Sequence, residues 1–174
     1  MADLYEEILK IKAEGGSAAL ATIIGTEGST PRETGAKMLV REDGTIFGTI
    51  GGGCLEGQVI EEAIKVIREE KPHTFHYDLT GREAAGAGMI CGGVLDIYIE
   101  PIIPTPTVFI FGGGHISLFV SKISAMMGFQ VAVIDDRAQF ASTERFPEAE
   151  QVIAEKFSLA FPQLKVNRSS YLVI

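Results

Sequence analysis

The residues best placed to do chemistry lie in the stretch Gly48-Thr-Ile-Gly-Gly-Gly-Cys-Leu-Glu-Gly57. Three glycines, Gly51, Gly52 and Gly53, lead from a strand-like segment into Cys54, and Leu55-Glu56 then opens a helix. Successive amides in such a turn, at a helix N-terminus, form a concavity that suits an anion such as a phosphate. The same helix end favours the thiolate of a cysteine at its first position. The turn therefore offers an anion cradle and a reactive sulfur, or else a tight turn with a small buried hydrophobe behind it. A second glycine-rich loop, residues 81–93, ends in Cys91-Gly-Gly and repeats the pairing of glycines with a thiol. Two sulfurs are too few ligands to hold a metal by themselves. Gly28-Ser-Thr-Pro-Arg32 adds two hydroxyls and a guanidinium, a set apt for a phosphate or carboxylate, or a solvated turn.

A different chemistry is written further on. Gly112-Gly-Gly-His-Ile-Ser117 follows the apolar strand Val108–Phe111 and opens a helix, matching two positions of the dinucleotide fingerprint at Gly112 and Gly114. Asp135 ends the next strand, 21 residues after Gly114, where an acid can bind a ribose 2′-hydroxyl. His115 can touch a ligand phosphate or cap the helix. Arg137 can favour a 2′-phosphate or pair with Asp136. No general base is legible. Glu6-Glu7 and Glu61-Glu62 lie on predicted helix surfaces as solvating charge, and His73 and His76 point to opposite faces of a strand.

The elements that must position these residues follow from periodicity and punctuation. Helices are predicted over 3–14, from Leu55 to Pro72, and from Ile116 to Gly128, the last with Ile116, Phe119, Val120, Ile123 and Met127 on its buried face. Strands are predicted at Ala18–Ile24, Lys37–Arg41, Thr45–Ile50, His73–Leu79 and Val94–Glu100. Beyond the proline-spaced connector 101–106, strands are predicted at Val108–Phe111, Gln130–Ile134, Gln151–Ala154 and Tyr171–Ile174, with a short helix near Phe157–Leu164. The fold class is α/β: an N-terminal mixed α+β domain, 1–102, and a partial Rossmann-like parallel-sheet domain, 103–174.

The 174 residues carry a net charge of −8, which argues against non-specific nucleic-acid binding. No apolar run reaches the length of a membrane span, and two cysteines in no C-x-x-C pairing point to reduced thiols and a cytoplasmic setting. The final strand leaves an apolar edge that invites association, so a homo-oligomer is expected.

Gly28-Ser-Thr-Pro-Arg32, Gly35-Ala-Lys-Met38, Gly48 to Glu56, Cys91-Gly-Gly93 and Glu100-Pro101 together resemble the xanthine dehydrogenase accessory factor family, of XdhC/CoxI type. Phe111-Gly-Gly-Gly-His115, Val133-Ile-Asp-Asp-Arg137 and Arg145-Phe-Pro-Glu-Ala149 resemble that family's C-terminal Rossmann domain. The resemblance implies a non-catalytic chaperone that binds molybdenum cofactor, protects it while a cysteine desulfurase installs its sulfur, and passes it to an apo molybdenum hydroxylase. It makes Cys54 the candidate metal contact and Gly51, Gly52, Gly53, Arg32 and Cys91 candidate cofactor-binding residues. Gly112, Gly114, His115 and Asp135 are candidates in the Rossmann half, where NAD(P) is the second candidate cofactor and a nicotinamide-dependent oxidoreductase the alternative function. Family members of this type continue past Ile174, so the chain reads as truncated within that domain.

Overall fold

The computed structural model describes residues 3–79 and 92–174, and divides the chain into two compact units, Met1–Ile103 and Pro104–Ile174. Cys91 and most of the second glycine loop lie outside the described residues.

The first unit is an antiparallel sheet with a helix on each face. Its strands are β1 (Ala18–Glu27), β2 (Lys37–Arg41), β3 (Ile46–Gly48), β4 (His73–Asp78) and β5 (Val94–Ile102), in the order β3-β2-β1-β5-β4. Alternation along the strands sorts side chains between two cores. Ala19, Ala21 and Ile23 of β1, Met38 and Val40 of β2, and Leu95, Ile97 and Ile99 of β5 pack against helix α2 (Gly53–Glu69). Ala18, Leu20 and Leu39 face helix α1 (Leu4–Ala13) through Ile11, Leu4 and Ile8. Glu6 closes a capping box with Asp3, and Glu7 pairs with Arg41 of β2, so these carboxylates join α1 to its own N-cap and to the sheet rather than merely solvating a surface.

Several strand limits differ from the periodic reading. β1 continues to Glu27 because it pairs with β5 beyond a register shift between Ile23 and Gly25. β5 runs through Pro101 to Ile102; past Ile99 it has β1 alone as neighbour, a one-sided stretch that tolerates a residue without an N–H. β3 stops at Gly48, whose φ of +86° turns the chain away and leaves Thr49 donating to the Lys37 carbonyl, 3.2 Å. Helix α2 ends in Glu70, the one non-glycine residue with positive φ among those described (+54°). Glu70→Gly is expected to raise the stability of this unit by roughly 1 kcal/mol, read as a higher urea midpoint, because an L-residue in the left-handed region is strained.

The second unit is a parallel sheet of β6 (Thr107–Phe111), β7 (Gln130–Ile134), β8 (Gln151–Ile153) and β9 (Ser170–Val173), ordered β8-β7-β6-β9. Counted within the unit this is 3-2-1-4, the opening order of a doubly wound sheet. Helix α3 (His115–Met126) covers one face and the short helix α4 (Phe157–Ala160), continued as a 3-10 turn, covers the other.

The facing of α3 overturns the sequence expectation. Leu118, Val120 and Ala125 pack on the sheet, and Ser121 is buried because its hydroxyl donates to Glu148, 2.6 Å. Ile116, Phe119, Ile123 and Met127, expected in the core, are instead exposed, between 57% and 78%. The helix is apolar on nearly all sides, so its sequence carries no contrast from which to choose the inner face. No helix among the described residues is long and apolar enough to cross a membrane.

Candidate functional site

In the first unit the glycine turn is built as a sharp reversal between β3 and α2. Gly51, Gly52 and Gly53 all take positive φ, at 141°, 84° and 64°, which explains why three glycines stand in a row. Helix α2 starts at Gly53, two residues earlier than the sequence suggested, so Cys54 is its second residue and its thiol is exposed. The turn is anchored to the core by Ile50, which is fully buried.

Two other loops pack on this turn or beside it. A Cβ on Gly51 would stand 2.5 Å from Pro31 Cγ, so Pro31 of the 28–32 loop lies directly against the turn. A Cβ on Gly93 would stand 2.5 Å from the Ser29 carbonyl and 2.7 Å from that of Glu27, and one on Gly28 would stand 3.2 Å from the Gly92 carbonyl. Absence of side chains at these glycines is thus what lets the 28–32 loop meet Gly92 and Gly93 backbone to backbone and lay its Pro31 ring on Gly51. Gly92 donates to the Leu79 carbonyl and Leu79 to that of Gly93, bringing the end of the second glycine loop back to the end of β4. Thr30, Pro31, Arg32, Glu33, Thr34 and Ala36 line a cleft of about 440 Å³. Arg32 is exposed at this cleft, and no acid among the described residues forms a salt bridge with it.

The amide concavity is not open as the sequence suggested. Glu56, one turn into α2, reaches back so that its carboxylate accepts from the Thr49 hydroxyl, 2.5 Å, and the Ile50 amide, 3.2 Å. Partial burial raises its pKa, but the Thr49 hydroxyl and the amides of Gly52, Ile50 and Gly51 outweigh that and hold it below the usual carboxylate range. Thr49 Oγ also accepts from the Gly51 amide, 3.2 Å. An internal carboxylate therefore fills the place in which a phosphate was expected. Glu56 and Thr49 stand seven residues apart, outside any capping spacing, and carried no signal beyond their place in the block.

In the second unit, Gly112, Gly114 and His115 sit where a dinucleotide turn requires, at the carboxyl end of β6 and the start of α3, with Ser117 donating to the Gly112 carbonyl. Asp135 does not wait there for a ribose. It is 2% exposed and accepts from the Gly113 amide, 2.8 Å, and from the Arg137 amide, Nε and Nη2, each 2.9 Å. The Arg137 guanidinium beside it, and the two amides, hold its carboxyl far below the usual range against the cost of burial. Arg137 in turn lies over the Phe140 ring, 4.0 Å from its centroid, and is 3.9 Å from Asp136. Arg145 Nη2 donates to the Gly113 carbonyl, 2.9 Å. The turn is thus pinned by the chain's own groups: Arg137 and the Gly113 amide fill the acid's bonding capacity, and Arg145 holds the Gly113 carbonyl. Phe140 falls in a stretch without periodicity and was not foreseen, and Arg145, quoted within the motif that carries the resemblance, was given no role there.

Among the described residues no group of three or more His, Cys, Asp or Glu side chains is arranged to hold a metal ion.

Residues 11–78 match the model of the XdhC and CoxI family, and residues 108–174 that of the XdhC Rossmann domain. The chain is 34% identical over 173 residues to an uncharacterized protein, YqeB, of Escherichia coli K12, covering 99% of this chain and 32% of that protein. It is 22% identical over 232 residues to a Bacillus subtilis protein named as a probable xanthine dehydrogenase subunit, covering 88% of this chain and 68% of the relative. It is 28% identical over 106 residues to PaoD, a molybdenum cofactor insertion chaperone of Escherichia coli K12, covering 59% of this chain and 33% of PaoD. The chain therefore spans about a third of the length of YqeB. A solved structure titled as a xanthine dehydrogenase from Bacillus halodurans matches 96% of this chain and 72% of its own, at 22% identity and a TM-score of 0.49. Matched in order by the two domain models, the chain belongs to the XdhC and CoxI family.

Proposed function

We propose that this chain handles molybdenum cofactor during maturation of a xanthine dehydrogenase-type molybdenum hydroxylase, holding it at the first unit before insertion. The observation that carries this reading is the exposed thiol of Cys54 on a turn against which the Arg32 loop is packed through Pro31. A thiolate is a suitable neighbour for a soft metal or its labile sulfur. The pterin's phosphate falls to Arg32 and the hydroxyl of Thr34 in the adjoining cleft, because Glu56 occupies the amides of the turn. Gly51, Gly52 and Gly53 then serve by shaping the turn. Cys91 belongs to the same proposal through its neighbour Gly92, which lies against Gly28. The name of PaoD supports an insertion role. An apo-hydroxylase and a cysteine desulfurase as partners, self-association and a cytoplasmic setting are parts of this one reading.

The engaged carboxylate of Asp135 speaks against the dinucleotide alternative, since it leaves no acceptor for a ribose. The test is incubation with cofactor released from a molybdoenzyme, followed by pterin fluorescence of the repurified protein. Wild type is expected to retain pterin, and Cys54→Ala and Arg32→Ala each to retain roughly a tenth or less, the loss of about 1.4 kcal/mol or more of binding. Equal retention by all three would remove the proposed site.

A further inference from the structure

Three successive glycines at positive φ do not hold one shape unaided, because glycine gives up more conformational freedom on ordering than any other residue. Packing does not hold all of this turn. Pro31 bears on Gly51, but apart from chain neighbours and the helix's own backbone no atom of the described residues lies within 4 Å of where a Cβ on Gly52 or Gly53 would stand. The N-cap, Gly52, has no side chain to offer the helix. What spans the turn is Glu56. Its carboxylate is tied to Thr49 and Ile50 on the near side, while its own backbone belongs to α2 on the far side. Thr49 carries the tie one step further by accepting from the Gly51 amide. Ile50 and Leu55, both buried, anchor the two ends in the core. The residue between these fixed points that reaches solvent as a thiol is Cys54.

We propose that Glu56, with Thr49, is a positioning pair that latches the glycine turn and so fixes the direction in which Cys54 presents its sulfur. The consequence for cofactor rests on the reading given under Proposed function; the latch itself concerns the thiol alone. Glu56 acts through the turn. Only an acceptor reaching Thr49 and Ile50 can do so: glutamine keeps that acceptor, and alanine has none.

The experiment measures the reaction of Cys54 with 4,4′-dithiodipyridine at pH 7. It uses the full chain with Cys91→Ser, each rate being divided by that of the same chain in urea. Wild type and Glu56→Gln, which keeps the acceptor, are expected to give the same ratio, and Glu56→Ala one displaced by roughly threefold or more. A Glu56→Ala ratio equal to that of wild type, or a Glu56→Gln ratio displaced as far as that of alanine, would overturn the proposal. Should Glu56→Ala fail to fold, Thr49→Val, which removes the hydroxyl at the other end of the latch, and its conservative counterpart Thr49→Ser decide in the same way. Pterin retention by the same variants separates the two readings. If the thiol ratios come out as expected while Cys54→Ala binds pterin like wild type, the latch stands and the cofactor role falls. If Cys54→Ala loses pterin while Glu56→Ala leaves the thiol ratio unchanged, the cofactor role stands and the latch falls.

Discussion

Asp135→Asn is expected to lower the stability of the C-terminal unit by about 3 kcal/mol, among the largest effects of any single polar substitution in this chain. The carboxylate is 2% exposed and accepts from the Gly113 amide and from three N–H groups of Arg137. Asparagine offers one oxygen in place of two, and its NH₂ group must turn toward a donor that already points at it. A buried donor is left unsatisfied and the exposed guanidinium loses its anchor, so the glycine turn at Gly113 slackens as well. Urea denaturation of the two proteins at pH 7 measures this as a fall in midpoint at unchanged slope. The sign of the pH dependence is fixed by the depressed carboxyl. Its contribution is complete above the unfolded value, about 4, and disappears only as the pH falls through the folded one. The difference between wild type and variant is therefore constant between about pH 5 and 8 and shrinks only in strong acid. Titrating either NAD or NADP into wild type is expected to release no heat, because the acid that would hold the ribose is already bonded. A clear isotherm, or a variant as stable as wild type, would show that the carboxylate is held more loosely than these distances say.

The same residue shows what could be read from sequence. Asp135 was placed correctly at the end of its strand, because strand periodicity and the glycine turn fix that position. Its partner was not legible. Arg137 could be assigned to Asp136 or to a ligand, and only the local chain path brings its Nε to 2.9 Å from Asp135 against 3.9 Å from Asp136. The antiparallel unit was legible for the same reason as the strand: Ala19, Ala21 and Ile23 alternate with Ala18 and Leu20, and each set has its own helix to meet. Helix α3 was legible as a helix and not as an oriented one, since Leu118 and Phe119 are equally apolar neighbours and the tie from Ser121 to Glu148 helps choose between them. In the candidate site, Cys54 and the glycines were visible as residue types. Glu56 was not, because a carboxylate that bonds backward across a turn leaves no periodicity, and what it occupies is the concavity in which a phosphate was expected.

Alanine at Gly51 and alanine at Gly53 are expected to differ by about 2 kcal/mol, although both positions take positive φ. At Gly53 a methyl group meets no other part of the described residues, so the cost is the backbone strain alone, roughly 1 kcal/mol. At Gly51 the methyl carries that strain and also meets Pro31, with Cγ at 2.5 Å and Cβ at 2.7 Å. The proline ring cannot rotate aside. Nor can its loop move freely, because the Ser29 and Glu27 carbonyls already press on Gly93. Overpacking of this kind costs about 1–3 kcal/mol. Tyrosine emission follows unfolding of the first unit, which carries Tyr5, Tyr77 and Tyr98, whereas the second carries Tyr171. A double-mutant cycle with Pro31→Gly isolates the collision. Removing the ring should return about 2 kcal/mol to Gly51→Ala and nothing to Gly53→Ala, leaving the strain of positive φ in both. Equal penalties at the two glycines, or no coupling to Pro31, would mean that the Arg32 loop does not bear on the turn. The cleft and the thiol would then be two separate features rather than parts of one site.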